Sequence, residues 1–435
     1  MNWKRYTLFF CLILLFNQAI AQEQLALEQA IEIVLKNNYD IIITKNNATI
    51  AENNNSLGNA GMLPKIDVNA STNSANNTTK QEFANGLIVD RGDVKSTNIN
   101  AGVFLTWTLF DGMKMFATHK RLQELEMMGN LATKIQIENT LSELIITYYN
   151  VVRQKQLIKA LNENIVISEE RLKIAEKKLE IGSGSKLDVL QAKVDKNAQT
   201  SNLLRQKTML TDLKIVLNQL LARNVETELN VADDIPVQFQ IKYDEIKNDI
   251  QKKNISLVYA QRSINMYNQQ VKENKALLFP KLNFNTSYVF ARSENQAGFA
   301  LYNQNIGLNY GFTFNWTIFN GLNNSTQIKN ARLQLENANV EYNNAKALIE
   351  LQLFSTFKKY QDDTKLLFFE EENVDLVKEA VGIALERFKI GSSNSLELKE
   401  IQKSYDEALT RLADARYNAK VSETNLMKLS GAIIK

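Results

Sequence analysis

One cysteine, one histidine and three prolines in 435 residues set the first limits. A lone cysteine, Cys11, leaves no intrachain disulfide to form. The lone histidine, His119, has no second histidine or cysteine with which to build a zinc site. No cofactor or metal site and no catalytic constellation is expected, because carboxylate pairs are too common on charged helices to mark an acid–base couple. Pro64, Pro236 and Pro280 leave very long stretches free to be helical. Neither charge dominates: 51 Lys and Arg face 48 Asp and Glu, for a formal net charge of +3. With no long basic run either, a nucleic-acid partner is not expected. Beyond the N-terminus no stretch approaches the roughly 18 apolar residues of a membrane-spanning helix.

The N-terminus reads as a secretory leader over residues 1–21. Lys4 and Arg5 form its charged region, Leu8 to Phe16 its short apolar core, and Ala19-Ile20-Ala21 its cleavage site. An uncleaved membrane anchor is the alternative. The mature chain then starts near Gln22 without a cysteine, so packing or oligomerisation must hold it together.

Three landmarks occur twice. Leu63-Pro64-Lys65-Ile66 returns as Phe279-Pro280-Lys281-Leu282, at an offset of 216. Trp107-Thr108-Leu109-Phe110-Asp111-Gly112 returns as Trp316-Thr317-Ile318-Phe319-Asn320-Gly321, and Leu179-Glu180-Ile181-Gly182-Ser183 as Phe388-Lys389-Ile390-Gly391-Ser392, both at 209. Two copies of one large unit follow, spanning 22–225 and 243–435 with a linker at 226–242.

Between the Pro and Trp landmarks the period is two. Ile306, Leu308, Tyr310, Phe312, Phe314, Trp316 and Ile318 alternate with polar or small residues, and Leu282, Phe284, Tyr288 and Phe290 do the same. Ile66, Val68 and Ala70 begin the weaker first copy. Each copy therefore predicts a β-hairpin, over 65–110 and 281–319, with one apolar and one polar face. Such strands suit lipid on one side and water on the other. Polar tips are expected at about 72–98 and 293–303. A soluble antiparallel sheet is the alternative.

The remaining chain has helical periodicity. Ile158, Leu161, Ile165, Ser168, Leu172, Ala175 and Leu179 are spaced alternately by three and four, as in a coiled-coil seam. Leu398, Ile401, Tyr405, Ala408, Leu412 and Ala415 follow the same rule. Helical hairpins are predicted over 113–222 and 322–430, each opening with a 69-residue helix about 100 Å long. Shorter helices are expected over 27–62 and 243–278. The turns at Gly182-Ser183-Gly184-Ser185 and Gly391-Ser392-Ser393-Asn394 form the hairpin tips.

Four strands cannot close a barrel, and an open edge in hydrocarbon costs several kcal/mol per unpaired backbone group. The chain is therefore expected to lend its strands to a shared barrel. Eight strands leave no channel, so a conduit favours three chains or more.

The order and spacing of these motifs resemble the TolC family of outer-membrane efflux proteins. The Leu25-x-Leu27-Glu28-x-Ala30 opening and Asn38-x-Asp40 add to the match, which runs from about Leu25 to Ser430. The resemblance implies a mainly α fold with a transmembrane β-barrel contribution: a homotrimer whose twelve-stranded barrel, set in outer-membrane lipid, continues into a periplasmic α-helical barrel. It implies a periplasmic adaptor and an inner-membrane transporter as partners, and a passive duct for small molecules. Type I protein secretion, and a non-channel periplasmic coiled-coil protein, are the alternatives.

The family's acidic aperture residues, carried over by position from the tip glycines, fall on Glu397 and Glu400, with Asp188 in the first copy. In a trimer, Glu397 and Glu400 would form stacked carboxylate rings that favour cations. Solvated helix charges are the plainer reading. Two latch residues of the family pattern are missing: Phe388 lacks a hydroxyl, and Ser393 replaces a base. Leu179, Ile181, Gly182, Ser183, Phe388, Ile390, Gly391 and Ser392 are the expected docking surface for an adaptor. Trp107 and Trp316 are expected in the membrane-interface belt.

Overall fold

The computed structural model describes residues 24–297 and 300–433. The leader expected at 1–21 lies outside them. Contacts divide the chain into two compact units. One contains residues 46–131 and 259–344, the other the chain on either side of those segments.

The first unit carries a four-stranded antiparallel sheet in the order β2-β3-β5-β6. Its strands are β2 (Lys65–Glu82), β3 (Ile88–Phe110), β5 (Lys281–Asn295) and β6 (Tyr302–Asn315). Partners across an antiparallel ladder share a face, so the register decides whether the alternating residues of separate strands agree. They do. One row reads Val68, Val103, Tyr288, Leu308; the next reads Ile66, Leu105, Thr286, Tyr310; a third reads Trp107, Phe284, Phe312. The opposite face reads Asp67, Phe104, Ser287, Asn309, then Asn69, Gly102, Val289, Gly307. One face is thus almost wholly apolar, and its β6 residues stand exposed. β2 and β6 are the two edges.

Two boundaries differ from the sequence reading. The span 72–98 is mostly strand: the β2–β3 ladder continues from Thr72–Ile99 to Glu82–Ile88. It closes through Phe83–Leu87, where the Phe83 N–H donates to the Leu87 carbonyl at 2.8 Å and Gly86 takes φ 81°. The backbone ladder needs no apolar alternation, so a ribbon wet on both faces has no signature in hydropathy. The second hairpin stops at Asn315 instead of 319. Asn315 pairs with Lys281, the first residue of β5, and Pro280 before it has no N–H to extend the ladder.

Trp107 and Trp316 fasten the strand bases. The Trp107 indole N–H donates to the Met62 carbonyl at 2.9 Å, and that of Trp316 to the Leu278 carbonyl at 3.1 Å. Each accepting residue lies two positions before a junction proline.

The second unit is helical. Among all described helices, α3 (Lys114–Glu180) and α7 (Asn323–Lys389) have 67 residues each and run through both units. α4 (Lys186–Leu220) and α8 (Ser395–Leu429) have 35 each. The expected helices over 27–62 and 243–278 are each broken once, into α1 (Leu27–Asn37) and α2 (Tyr39–Asn54), and α5 (Tyr243–Lys253) and α6 (Ile255–Ala276). Asparagine makes both breaks. The buried Asn38 accepts from the Ile41 N–H at 3.2 Å and donates to the Leu220 carbonyl, the end of α4, at 3.0 Å. Asn254 accepts from the Leu257 N–H at 3.2 Å and donates to the Leu429 carbonyl, the end of α8, at 3.1 Å. One side chain thus starts one helix and satisfies an orphan carbonyl of another.

The largest core of this unit packs Ala30, Val34, Ile41, Leu144, Val151 and Leu217. The Tyr148 hydroxyl joins it to the short parallel pair β1 (Gln24–Leu25) and β4 (Asn230–Val231), donating to the Leu25 carbonyl at 2.8 Å and accepting from the Ala232 N–H at 3.1 Å. Among the described residues no helix is long and apolar enough to cross a membrane.

Candidate functional site: the helical tips

The two tips end in the same way. At the first, Gly182 takes φ 76°, and the N–H groups of Ser183 and Gly184 both reach the Lys178 carbonyl at 2.8 Å. At the second, Gly391 takes φ 84° and the Ser392 N–H reaches the Arg387 carbonyl at 2.9 Å. Glycine supplies the left-handed residue that both reversals require. The next helices are then capped: Ser185 accepts from the Asp188 N–H at 3.1 Å, and Asn394 from the Glu397 N–H at 2.8 Å.

The three acidic residues expected near an aperture have different surroundings. The Asp188 carboxylate accepts from the Ser185 hydroxyl at 2.9 Å, within the cap of α4. Glu397 holds two partners, Arg387 Nη1 at 2.8 Å and the Ser393 hydroxyl at 2.8 Å. Ser393, which stands where the family pattern has a base, donates to this carboxylate, and Arg387 pairs with it. Glu400 is exposed, and among the described residues its side chain makes no ion pair.

Of the eight residues expected to form a docking surface, seven are exposed, led by Ile181 and Ile390 at 76% and 77%. Phe388 presents no surface. It is 4% exposed and packs with Ala384 and Leu398. The Lys178 ammonium stands 4.2 Å from its ring centroid and donates to its backbone carbonyl at 2.6 Å. Leu179, the repeat equivalent of Phe388, holds the same place in the three-four spacing yet is 39% exposed, so spacing alone does not separate the two. Leu187 and Leu396, one turn beyond the tips, are largely exposed and were missed.

Above the tips a polar layer crosses the apolar seam. Arg171, wholly buried on α3, pairs with Asp195 of α4, which also accepts from Lys399 of α8 at 3.0 Å and Gln191 at 2.9 Å. Burial alone would raise the Asp195 carboxyl pKa, but these donors hold it below its ordinary value. Gln402 of α8 donates to the Asn164 carbonyl at 3.0 Å and to the Ser168 hydroxyl at 2.6 Å. These links tie α8 to α3 and α4 at a fixed register. Far from the tips, Glu138 is 6% exposed and one of its oxygens has no hydrogen-bond partner among the described residues. Burial pushes its pKa up to about 7, against the smaller opposing pull of Lys428.

The polar groups of this geometry serve turns, helix caps and one buried ion-pair layer. Among the described residues no group of His, Cys, Asp or Glu could hold a metal ion. What it offers is an open sheet with one apolar face, and helical tips with exposed apolar and acidic residues.

Known proteins are similar to this chain in sequence or in fold. The outer membrane efflux protein BepC of Brucella suis is 20% identical over 368 residues, covering 82% of this chain and 78% of its own. The outer membrane protein TolC of Escherichia coli is 20% identical over 368 residues, covering 81% and 73%. The solved CmeC outer membrane channel of Campylobacter jejuni superposes with a TM-score of 0.77 at 16% identity, covering 93% of this chain and 85% of that one. A sequence profile described as outer membrane efflux protein matches residues 17–223 and 247–432. The chain belongs to the outer membrane efflux protein family.

Proposed function

We propose that three copies of this chain share a twelve-stranded barrel and form a passive exit duct for small molecules across the outer membrane. A periplasmic adaptor and an inner-membrane transporter load it, and the transporter supplies the energy. The observation that carries this reading is the open sheet, whose register collects the apolar residues of all four strands on one face while both edges lack strand partners among the described residues. In hydrocarbon such edges must be paired. Four strands from each of three copies close a barrel with room for a conduit. The aromatic rings of Trp107 and Trp316, exposed at the strand bases, suit the interface between lipid and water.

The tips serve the adaptor through Leu179, Ile181, Gly182 and Ser183 and through Ile390, Gly391 and Ser392, with Leu187 and Leu396 extending the apolar surface. Asp188, Glu397 and Glu400 line the aperture. Because Arg387 neutralises Glu397 and a helix cap engages Asp188, Glu400 carries most of the cation preference.

The test is fractionation of the tagged chain, followed by mass measurement in detergent. Outer-membrane location and a mass of three chains are expected. A monomer in the aqueous periplasmic fraction would end the proposal. The transporter that co-purifies with it separates small-molecule efflux from protein secretion.

A further inference from the structure

We infer that the seam between neighbouring copies repeats the seam between the two halves of one chain, which fixes its strand register and one of its ion pairs. This rests on the shared barrel proposed above and specifies its partner surface.

Within the chain the two halves meet in the sheet along β3 and β5, where Phe104 lies opposite Ser287. The repeat offset of 209 carries β3 onto β6, and that of 216 carries β2 onto β5. Moving the internal pair forward by one half therefore sets Thr313 of β6 opposite Ser71 of the next copy's β2. Phe314 then lies opposite Ala70, and Phe312 opposite Thr72. Phe314, Ala70 and Phe312 all belong to the apolar face already described, so the carried register extends that face across the junction. A slip of one residue would set Phe314 among the polar row of β2 and break it.

The helices give independent support. Inside the chain α3 is covered: Leu157, Ile167 and Ile174 are half-buried. Their repeat equivalents on α7, Leu366, Leu376 and Ile383, are exposed. α7 therefore lacks the neighbour that α3 has. On the internal seam Arg153 of α3 binds Asp414 of α8 at 2.5 Å. The same offset turns these into Asp362 on α7 and Arg205 on α4. Both are exposed, and among the described residues neither makes an ion pair. The link keeps its charge complementarity with the sign of each partner reversed. Two random surface positions have no reason to do this. Asp362 of one copy thus meets Arg205 of the next.

Disulfide trapping tests the register, in full-length protein carrying Cys11→Ala. After mild oxidation of outer membranes, Thr313→Cys with Ser71→Cys should yield covalent dimers and trimers. The yield should exceed by about tenfold that of Thr313→Cys with Asn69→Cys or with Asn73→Cys, because diagonal partners lie too far apart to bridge. A maximum at Asn69 or Asn73 in an intact oligomer would overturn the register alone. A protein that is monomeric in detergent would overturn the shared barrel with it. As a second measurement, Arg205→Asp and Asp362→Arg should each lower the temperature at which the oligomer dissociates on gels, and the double variant should restore it. A double variant no better than the sum of the two single changes would overturn the ion pair.

Discussion

Arg387 reaches across its own tip to hold Glu397 at 2.8 Å, so the carboxylate nearest the second turn is already balanced within one hairpin. The pair is about half exposed, so its strength is modest, but its consequence for charge is direct. Glu400, one turn further along α8, has no such partner among the described residues.

Channel selectivity should therefore respond unequally. In planar bilayers Glu400→Ala should reduce cation preference more than Glu397→Ala. Arg387→Ala should increase it, by freeing the Glu397 charge. Reversal potentials in asymmetric salt measure all three, and an equal loss from both glutamates would contradict the pairing.

Asn38 and Asn254 each cap one helix and satisfy the end of another. Replacing either with alanine removes a cap, costing about 1 kcal/mol, and leaves a carbonyl unsatisfied, costing about another 1–3 kcal/mol. Asn→Asp should recover part of the first loss only, because a carboxylate accepts from the helix N–H but donates nothing to Leu220 or Leu429. Thermal unfolding followed by circular dichroism should show comparable losses at the two sites.

Glu138 makes stability depend on pH. Its folded-state pKa is raised from 4.5 to about 7. Between those values the folded chain keeps a proton that the unfolded chain has released. Stability is therefore highest below about pH 4.5 for this group, falls as pH rises, and reaches its floor above about 7. Glu138→Gln should remove that slope and stabilise the protein near pH 8 by about 3 kcal/mol. Denaturation midpoints at pH 5.5 and pH 8 measure it, and an unchanged slope would place the cause elsewhere.

The indole links at the strand bases should be equivalent. Trp107→Phe and Trp316→Phe each keep the ring and delete the N–H, for an expected loss of about 1 kcal/mol. Trp3 is the third tryptophan of the sequence, so in a Trp3→Phe background tryptophan fluorescence reports these two positions alone. The single variants should resolve one base each.

Much of the architecture was legible because it is periodic. The two-residue alternation marked β5 and β6 to within a few residues, and the three-four spacing with proline exclusion gave α3 and α7 nearly to their ends. The tips were legible because glycine most readily takes the left-handed conformation of their turns. The polar ribbon beyond Thr72 was not, because backbone pairing leaves no trace in side-chain hydropathy. Nor were the breaks at Asn38 and Asn254, whose partners lie 182 and 175 residues away.

Sequence alone determined the doubled plan, the apolar alternation of the strands, and the demand that four strands find partners, because these follow from local periodicity and from the cost of open edges. Tertiary structure decided which alternating residues share a face, since register is a relation between strands. It also decided that Phe388 is core and that Arg387 answers Glu397, since burial and charge balance depend on what folding brings together.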